Sequence, residues 1–185
     1  MSKKGLIIII SGPSGVGKTT VTDRLIAEMG GIGRCITYTT RARRPGEKDG
    51  VDYYFVDDAA FTRLIEGRAL AEWAIVNGYK YGTPRSEIER VTSSGSDVVL
   101  VIDVQGAASI KALYPEALSI FIKPPSLDTL RQRLGIRGEK DRVDQRLERA
   151  KAELSQAPRY DHVLVNDTID AAVGELKALI EQCRQ

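Results

Sequence analysis

Leu6-Ile7-Ile8-Ile9-Ile10-Ser11 runs directly into Gly12-Pro13-Ser14-Gly15-Val16-Gly17-Lys18-Thr19. The first stretch is apolar and β-branched without alternation, the pattern of a parallel strand buried on both faces. The second fits G-x-x-x-x-G-K-[ST]. Lys18–Met29 then sets Val21, Leu25, Ile26 and Met29 at helical spacing, and Gly30-Gly31 stops the helix. Strand, glycine loop and helix in that order begin an α/β fold. Glycines let backbone N–H groups turn inward around phosphate oxygens, and the helix N-terminus adds its positive end. Lys18 is placed to reach β- and γ-phosphates, and the Thr19 hydroxyl to meet Mg²⁺. The residues Gly12, Pro13, Ser14, Gly15, Val16, Gly17, Lys18 and Thr19 are therefore expected to hold a nucleoside triphosphate such as ATP.

Outward from this start, Asp97–Asp103 reads as a second buried strand, followed by a helix from about Gly106 to Leu113. Leu118–Ile122 is a third strand. Ser126 can cap a helix through Leu127, Leu130 and Leu134, with Asp128 in its first turn. A polar helix is expected from about Asp141 to Gln156, a strand at His162–Val165 and an amphipathic helix at Ile169–Gln182. The intervening stretch 36–95 holds most of the aromatics and has strand-like runs at Tyr53–Val56 and Leu70–Val76. Asn77-Gly78 before Tyr79 is a hairpin signal. This reads as a β-rich insertion in a core of 1–35, 96–132 and 150–185, with a second, Arg-rich and apolar-poor insertion at 133–149 read as a mobile helical flap.

The chain has 185 residues, 42% hydrophobic and 28% charged, which suits one globular unit and excludes disorder or a disulfide scaffold. The five-residue apolar run is too short for a membrane span or a secretory core, so no membrane partner and a cytoplasmic location are expected. A net charge of +2, from 27 basic and 25 acidic residues, argues against nucleic acid as a partner. Cys35 and Cys183 stand far apart, are expected as plain thiols, and offer no metal spacing. The single histidine, His162, reads as structural. Hydrolytic triads and zinc chemistry thus lack residues, whereas phosphoryl transfer needs mainly positioning and charge.

Two basic groups remain. Arg41-Ala42-Arg43-Arg44 lies in the β-rich insertion, and Arg131, Arg133, Arg137, Arg142, Arg146 and Arg149 are scattered in and just before the flap. Either could be a solvated face. A kinase, however, must bring two polyanions together, and guanidinium forks offset that repulsion. Asp103, ending an apolar strand, suits a metal-side acid and equally a helix N-cap.

The chain resembles the guanylate kinase family along nearly its whole length. The resemblance is carried by Gly12–Thr19, Thr39-Thr40-Arg41-Ala42-Arg43-Arg44-Pro45-Gly46-Glu47, Gly50–Phe55, Glu72-Trp73-Ala74, Tyr81-Gly82-Thr83, Ile102–Gly106 and Val165-Asn166-Asp167. It implies a three-layer P-loop NTPase fold with a parallel sheet, a β-rich GMP-binding insertion and a helical lid. The implied reaction transfers the γ-phosphoryl group of ATP to GMP with Mg²⁺, in purine metabolism; dGMP tolerance and the choice between monomer and homo-oligomer stay open. Arg41, Arg44, Tyr53 and Tyr81 match positions that hold the GMP phosphate. Glu72, Thr83 and Asp103 match the guanine-reading positions, with Thr37 where serine is frequent. Arg133, Arg137 and Arg146 match lid arginines, and Asn166 a residue beside the donor nucleotide. Val101 departs from the pattern, since many members carry an acid there. Two other readings stay in view: a ribose 1,5-bisphosphate phosphokinase, which needs no guanine reader, and a phosphopeptide-binding domain of related fold, which tends to lose the intact loop.

Overall fold

Alternate residues of the strand Ile7–Ser11 (β1) face two different cores, and this organises the molecule. The computed structural model describes residues 4–136 and 143–184. β1 is the middle strand of a five-stranded sheet, flanked by Asp97–Val101 and Leu118–Lys123, with Ile32–Arg34 and His162–Val165 at the edges. Every neighbouring pair in it is parallel. The remaining strands are numbered in chain order: β2 is Ile32–Arg34, β3 Tyr38–Thr39, β4 Tyr54–Phe55, β5 Leu70–Val76, β6 Tyr79–Pro84, β7 Asp97–Val101, β8 Leu118–Lys123 and β9 His162–Val165. The helices are α1 (Lys18–Glu28), α2 (Asp58–Glu66), α3 (Arg85–Ser93), α4 (Val104–Leu113), α5 (Leu127–Ile136), α6 (Val143–Leu154) and α7 (Ile169–Arg184).

On one sheet face Ile8, Ile10, Val99, Ile120 and Ile122 pack against Val21 and Leu25 of α1 and Val173, Leu176 and Ile180 of α7. On the other, Ile7, Ile9, Val98 and Leu100 pack against Ile88 and Val91 of α3 and Ala107 and Ile110 of α4. These two cores make the three layers. The chain leaves β1 toward β7 and β2 on one side and toward β8 and β9 on the other. The end of β1 is thus the switch point, where open parallel sheets form their ligand crevice.

A second sheet, ordered β4-β3-β6-β5, is built within residues 38–84. The β5–β6 hairpin pairs Glu72 with Thr83 and Ala74 with Tyr81. Its two-residue turn places Asn77 at φ 53 and Gly78 at φ 83, left-handed at both positions as a tight hairpin of this twist requires. Two helices here, α2 and α3, lie in stretches where the sequence reading placed no helix. Each is only nine residues long. α2 does carry a local signal, since Asp57 caps it by accepting from the Ala60 N–H at 2.6 Å.

The Arg-rich stretch is anchored partly by apolar residues at and beyond its ends. Leu130 and Leu134 of α5 meet Leu147 and Ala150 of α6 in a small buried cluster. Four apolar residues at helical spacing suffice to dock two helices, even where charged residues outnumber them.

Ile8 is fully buried in the centre of the sheet. Ile8→Ala should cost about 2–5 kcal/mol, lowering the melting temperature by roughly 5–15 °C for a chain of this size. Thermal unfolding of the purified protein checks this; a near-zero shift would contradict the packed central strand.

Candidate active site

The glycine loop after β1 is shaped by what its Cβ atoms would strike. Gly12 has φ 140, and a Cβ there would lie 2.1 Å from the Ile122 carbonyl oxygen of the neighbouring strand. Gly17 has φ 97 and acts as N-cap of α1; its Cβ would sit 2.5 Å from Asn166 Nδ2. Asn166, just after β9, is buried and donates through Nδ2 to the Val16 carbonyl at 2.7 Å. The Lys18 ammonium folds over the loop and donates to the carbonyls of Gly12 (2.6 Å) and Pro13 (3.1 Å). Thr19 is exposed in the first turn of α1.

The two helices of the Arg-rich stretch bring cations onto this loop. Arg133 in the last turn of α5 donates to the carbonyls of Asn166 at 3.2 Å and Val16 at 3.4 Å. Arg146 of α6 donates to Ser14 Oγ at 2.8 Å. Arg137 lies outside the described residues.

Arg41 and Glu72 centre two further clusters on the second sheet. Arg41 is 8% exposed; its Nε donates to Tyr81 Oη at 3.2 Å and its Nη2 to Glu47 Oε1 at 2.7 Å. The guanidinium lies 5.4 Å from the ring centre of Tyr53 and 5.8 Å from that of Phe55. Burial alone would lower its pKa, but the bonds to Glu47 and Tyr81 outweigh this and hold it above the ordinary value. Burial also pushes the Tyr53 phenol up. Arg44 is exposed, and its backbone N–H donates to Glu47 Oε2 at 2.8 Å. Thr37 is buried just before β3, and its carbonyl accepts from the Tyr54 N–H at 2.9 Å.

Glu72 is 7% exposed and accepts from the Thr83 hydroxyl across the hairpin. Its second oxygen lies beside Gly106, where a Cβ would approach it to 2.7 Å. Asp103 is the N-cap of α4, accepting from the Gly106 N–H at 2.9 Å. The cap role weighed from sequence is thus realised, next to Glu72. Burial pushes the Glu72 carboxyl up to about 7; the Thr83 bond opposes this and the Asp103 charge adds to it. Three contributors had no role in the sequence reading. Glu47 holds both Arg41 and the Arg44 amide, Phe55 lies beside the guanidinium, and Gly106 makes room for Glu72. All three stood within the quoted motifs, but only the folded chain says what they touch.

A parallel α/β sheet with a glycine loop at its switch point, together with a second sheet that carries a buried arginine and a buried carboxylate, defines a P-loop phosphate-binding protein of kinase type. A sequence profile described as guanylate kinase matches residues 4–183. The guanylate kinase of Symbiobacterium thermophilum is 46% identical over 179 residues, covering 96% of this chain and 85% of that one. That of Oceanobacillus iheyensis is 45% identical, covering 98% of this chain and 89% of that one. The crystal structure of guanylate kinase from Anaplasma phagocytophilum superimposes with a TM-score of 0.83 at 35% identity, covering 97% of this chain and 86% of that one. The chain belongs to the guanylate kinase family.

The buried Glu72 carboxyl should make itself felt in stability. Its folded pKa of about 7 exceeds the ordinary 4.5, so the folded state binds the extra proton between those values. Stability contributed by this group is complete below about pH 4.5, falls as pH rises and is lost above about pH 7. Glu72→Gln removes that loss and keeps an acceptor for Thr83. At pH 8 the variant should be more stable than the wild type by on the order of 1–3 kcal/mol, with the two curves converging near pH 4.5. Paired thermal melts across that range check it.

Proposed function

We propose that this protein transfers the γ-phosphoryl group of ATP to GMP, giving ADP and GDP. The observation that carries the reading is a buried carboxylate, Glu72, shared with Thr83 at the N-terminus of α4, in the same molecule as the Lys18 loop. Guanine presents N1–H and N2–H₂ on one edge, two donors that one carboxylate can accept; adenine has no such pair. Glu72 reads that edge, with Thr83, Asp103 and Thr37 as the surrounding polar groups. The GMP phosphate is held by Arg41, Arg44, Tyr53 and Tyr81, with Glu47 keeping Arg41 in place.

The donor triphosphate enters the loop Gly12–Gly17. There the backbone N–H groups and the α1 N-terminus receive its oxygens, and Lys18 exchanges its loop carbonyls for phosphate. Asn166 fixes the loop from behind. A GMP phosphate oxygen, already anionic at neutral pH, attacks Pγ as the bond to the bridging oxygen breaks and ADP leaves. No proton has to be removed first. Arg133 and Arg146, together with Arg137, offset the charge gathered between the two nucleotides.

Among the described residues no group of three or more His, Cys, Asp or Glu could hold a metal ion. This fits Mg²⁺ carried mainly by nucleotide phosphates and water, with the exposed Thr19 hydroxyl as the ligand from the chain. Such an ion neutralises charge on the β- and γ-phosphates when bound. No helix among the described residues is long and apolar enough to cross a membrane. The setting we propose is the cytoplasm, in keeping with two unbridged thiols, Cys35 buried and Cys183 exposed.

A coupled assay of ADP formation with GMP, dGMP, AMP, ribose 1,5-bisphosphate and no acceptor tests the reading. Turnover should require a guanine nucleotide, and equal rates with AMP or turnover with the sugar bisphosphate would refute it. Lys18→Ala should abolish transfer while GMP binding, measured by calorimetry, stays near wild type. Glu72→Gln should lower kcat/KM for GMP by at least about 100-fold, roughly 2.7 kcal/mol, and shrink the GMP/AMP ratio. In the wild type, kcat/KM for GMP should rise as pH passes about 7 and the Glu72 carboxylate forms.

A further inference from the structure

Arg149, on α6, has no part in the roles assigned above, yet its guanidinium reaches three side chains, two of them on other elements. Its Nη1 donates to Asn77 Oδ1 at the β5–β6 turn at 3.1 Å. Its Nε donates to Glu153 Oε1 at 2.9 Å, one turn further along α6. Its Nη2 lies 3.9 Å from Asp103 Oδ2, at the start of α4. We propose that Arg149 is a positioning residue for the acceptor nucleotide, bracing the base-reading hairpin and Asp103 against the helix that touches the donor loop.

The connections are short and stiff. Asn77 follows directly on β5, the strand that carries Glu72, and Gly78 leads into β6, which carries Thr83. Holding the turn therefore sets where the Glu72–Thr83 pair lies. Asp103 Oδ1 is committed to the Gly106 N–H at 2.9 Å, so Oδ2 is the oxygen that Gln105, at 3.4 Å, and Arg149 can orient. Gly106 in turn borders Glu72. Three residues earlier on the same helix, Arg146 donates to Ser14 of the donor loop at 2.8 Å. One helix thus carries a contact to each half of the site on adjacent turns. Arg149 also stands between two carboxylates. Asp103 Oδ2 and Glu153 Oε1 lie 3.9 Å and 2.9 Å from its guanidinium nitrogens. Without Arg149 these two carboxylates would lose the counter-ion they share.

This inference rests on the GMP kinase reading, and the experiment separates the two. Steady-state kinetics with Arg149→Ala should show KM for GMP raised about tenfold, with KM for ATP within about twofold of wild type. Asn77→Gly keeps the turn conformation and removes the acceptor; it should raise KM for GMP about threefold. The double variant should be no worse than Arg149→Ala alone. Arg149→Lys keeps the charge but not the three-way fork and should recover less than half of the loss. Hydrogen exchange on the nucleotide-free Arg149→Ala protein should be faster at residues 77–80 and at Gly106. An unchanged KM for GMP, equal rises for both substrates, additive single effects, full recovery by lysine, or unchanged exchange would each overturn the proposal. A wild type that forms no ADP with GMP would instead overturn the functional reading, while the exchange data still decide whether the brace exists.

Discussion

β1 has no exposed face, and most of the molecule follows from that. Its five residues are buried by two cores at once. The chain must therefore leave the sheet abruptly at its end, between two neighbouring strands. Gly12 makes the exit possible, because any side chain would strike the Ile122 carbonyl. The loop that results is pinned by backbone geometry and by Asn166 and Arg133 from the far end of the chain. A phosphate cradle made of main-chain N–H groups depends on such pinning, since its donors cannot rotate to find a ligand as side chains do.

The second sheet solves a different problem, which is how to hold charge away from water. Arg41 is buried but satisfied on every side, by Glu47, Tyr81, the Ala42 carbonyl and two aromatic rings. Glu72 is buried with neutral donors from Thr83 alone, its hydroxyl and its backbone N–H, and a negative neighbour, so its ionised form is costly. The contrast separates the two residues by task. Arg41 is fixed in advance, whereas Glu72 is left short of donors that a substrate edge can supply. A group kept in a destabilised state at a binding site is a familiar exchange of stability for function.

The helices α5 and α6 link these halves. Their small shared core holds them together as a pair, while Arg133 and Arg146 reach the donor loop and Arg149 reaches the hairpin. A few apolar side chains and several long cationic ones give a unit that docks to itself firmly and to the rest of the molecule through polar contacts. Polar contacts of this kind exchange readily with water and with phosphate oxygens.

The sequence by itself determined the central strand, the loop after it and the helix that follows, because those depend on local rules: unbroken β-branched residues, glycines at fixed spacing and a 3.6-residue period. It also determined the hairpin turn, since Asn77-Gly78 favours one backbone conformation whatever surrounds it. The short helices α2 and α3 and the strand β2 were not legible, as nine residues or fewer carry too little periodicity to outweigh context. The resemblance grouped Glu72 with Thr83 and Asp103, but their contacts, and Gly106 beside them, were decided by the tertiary structure. Thr83 comes from the next strand, and Asp103 and Gly106 from a distant helix start, so the raised carboxyl pKa is a product of burial and of charges far apart in the chain. The same holds for Arg149. In the sequence it is one more arginine in a helix, with Glu153 one turn on; its distant partners lie at 77 and 103, and only the packing of three elements brings them within reach of that guanidinium.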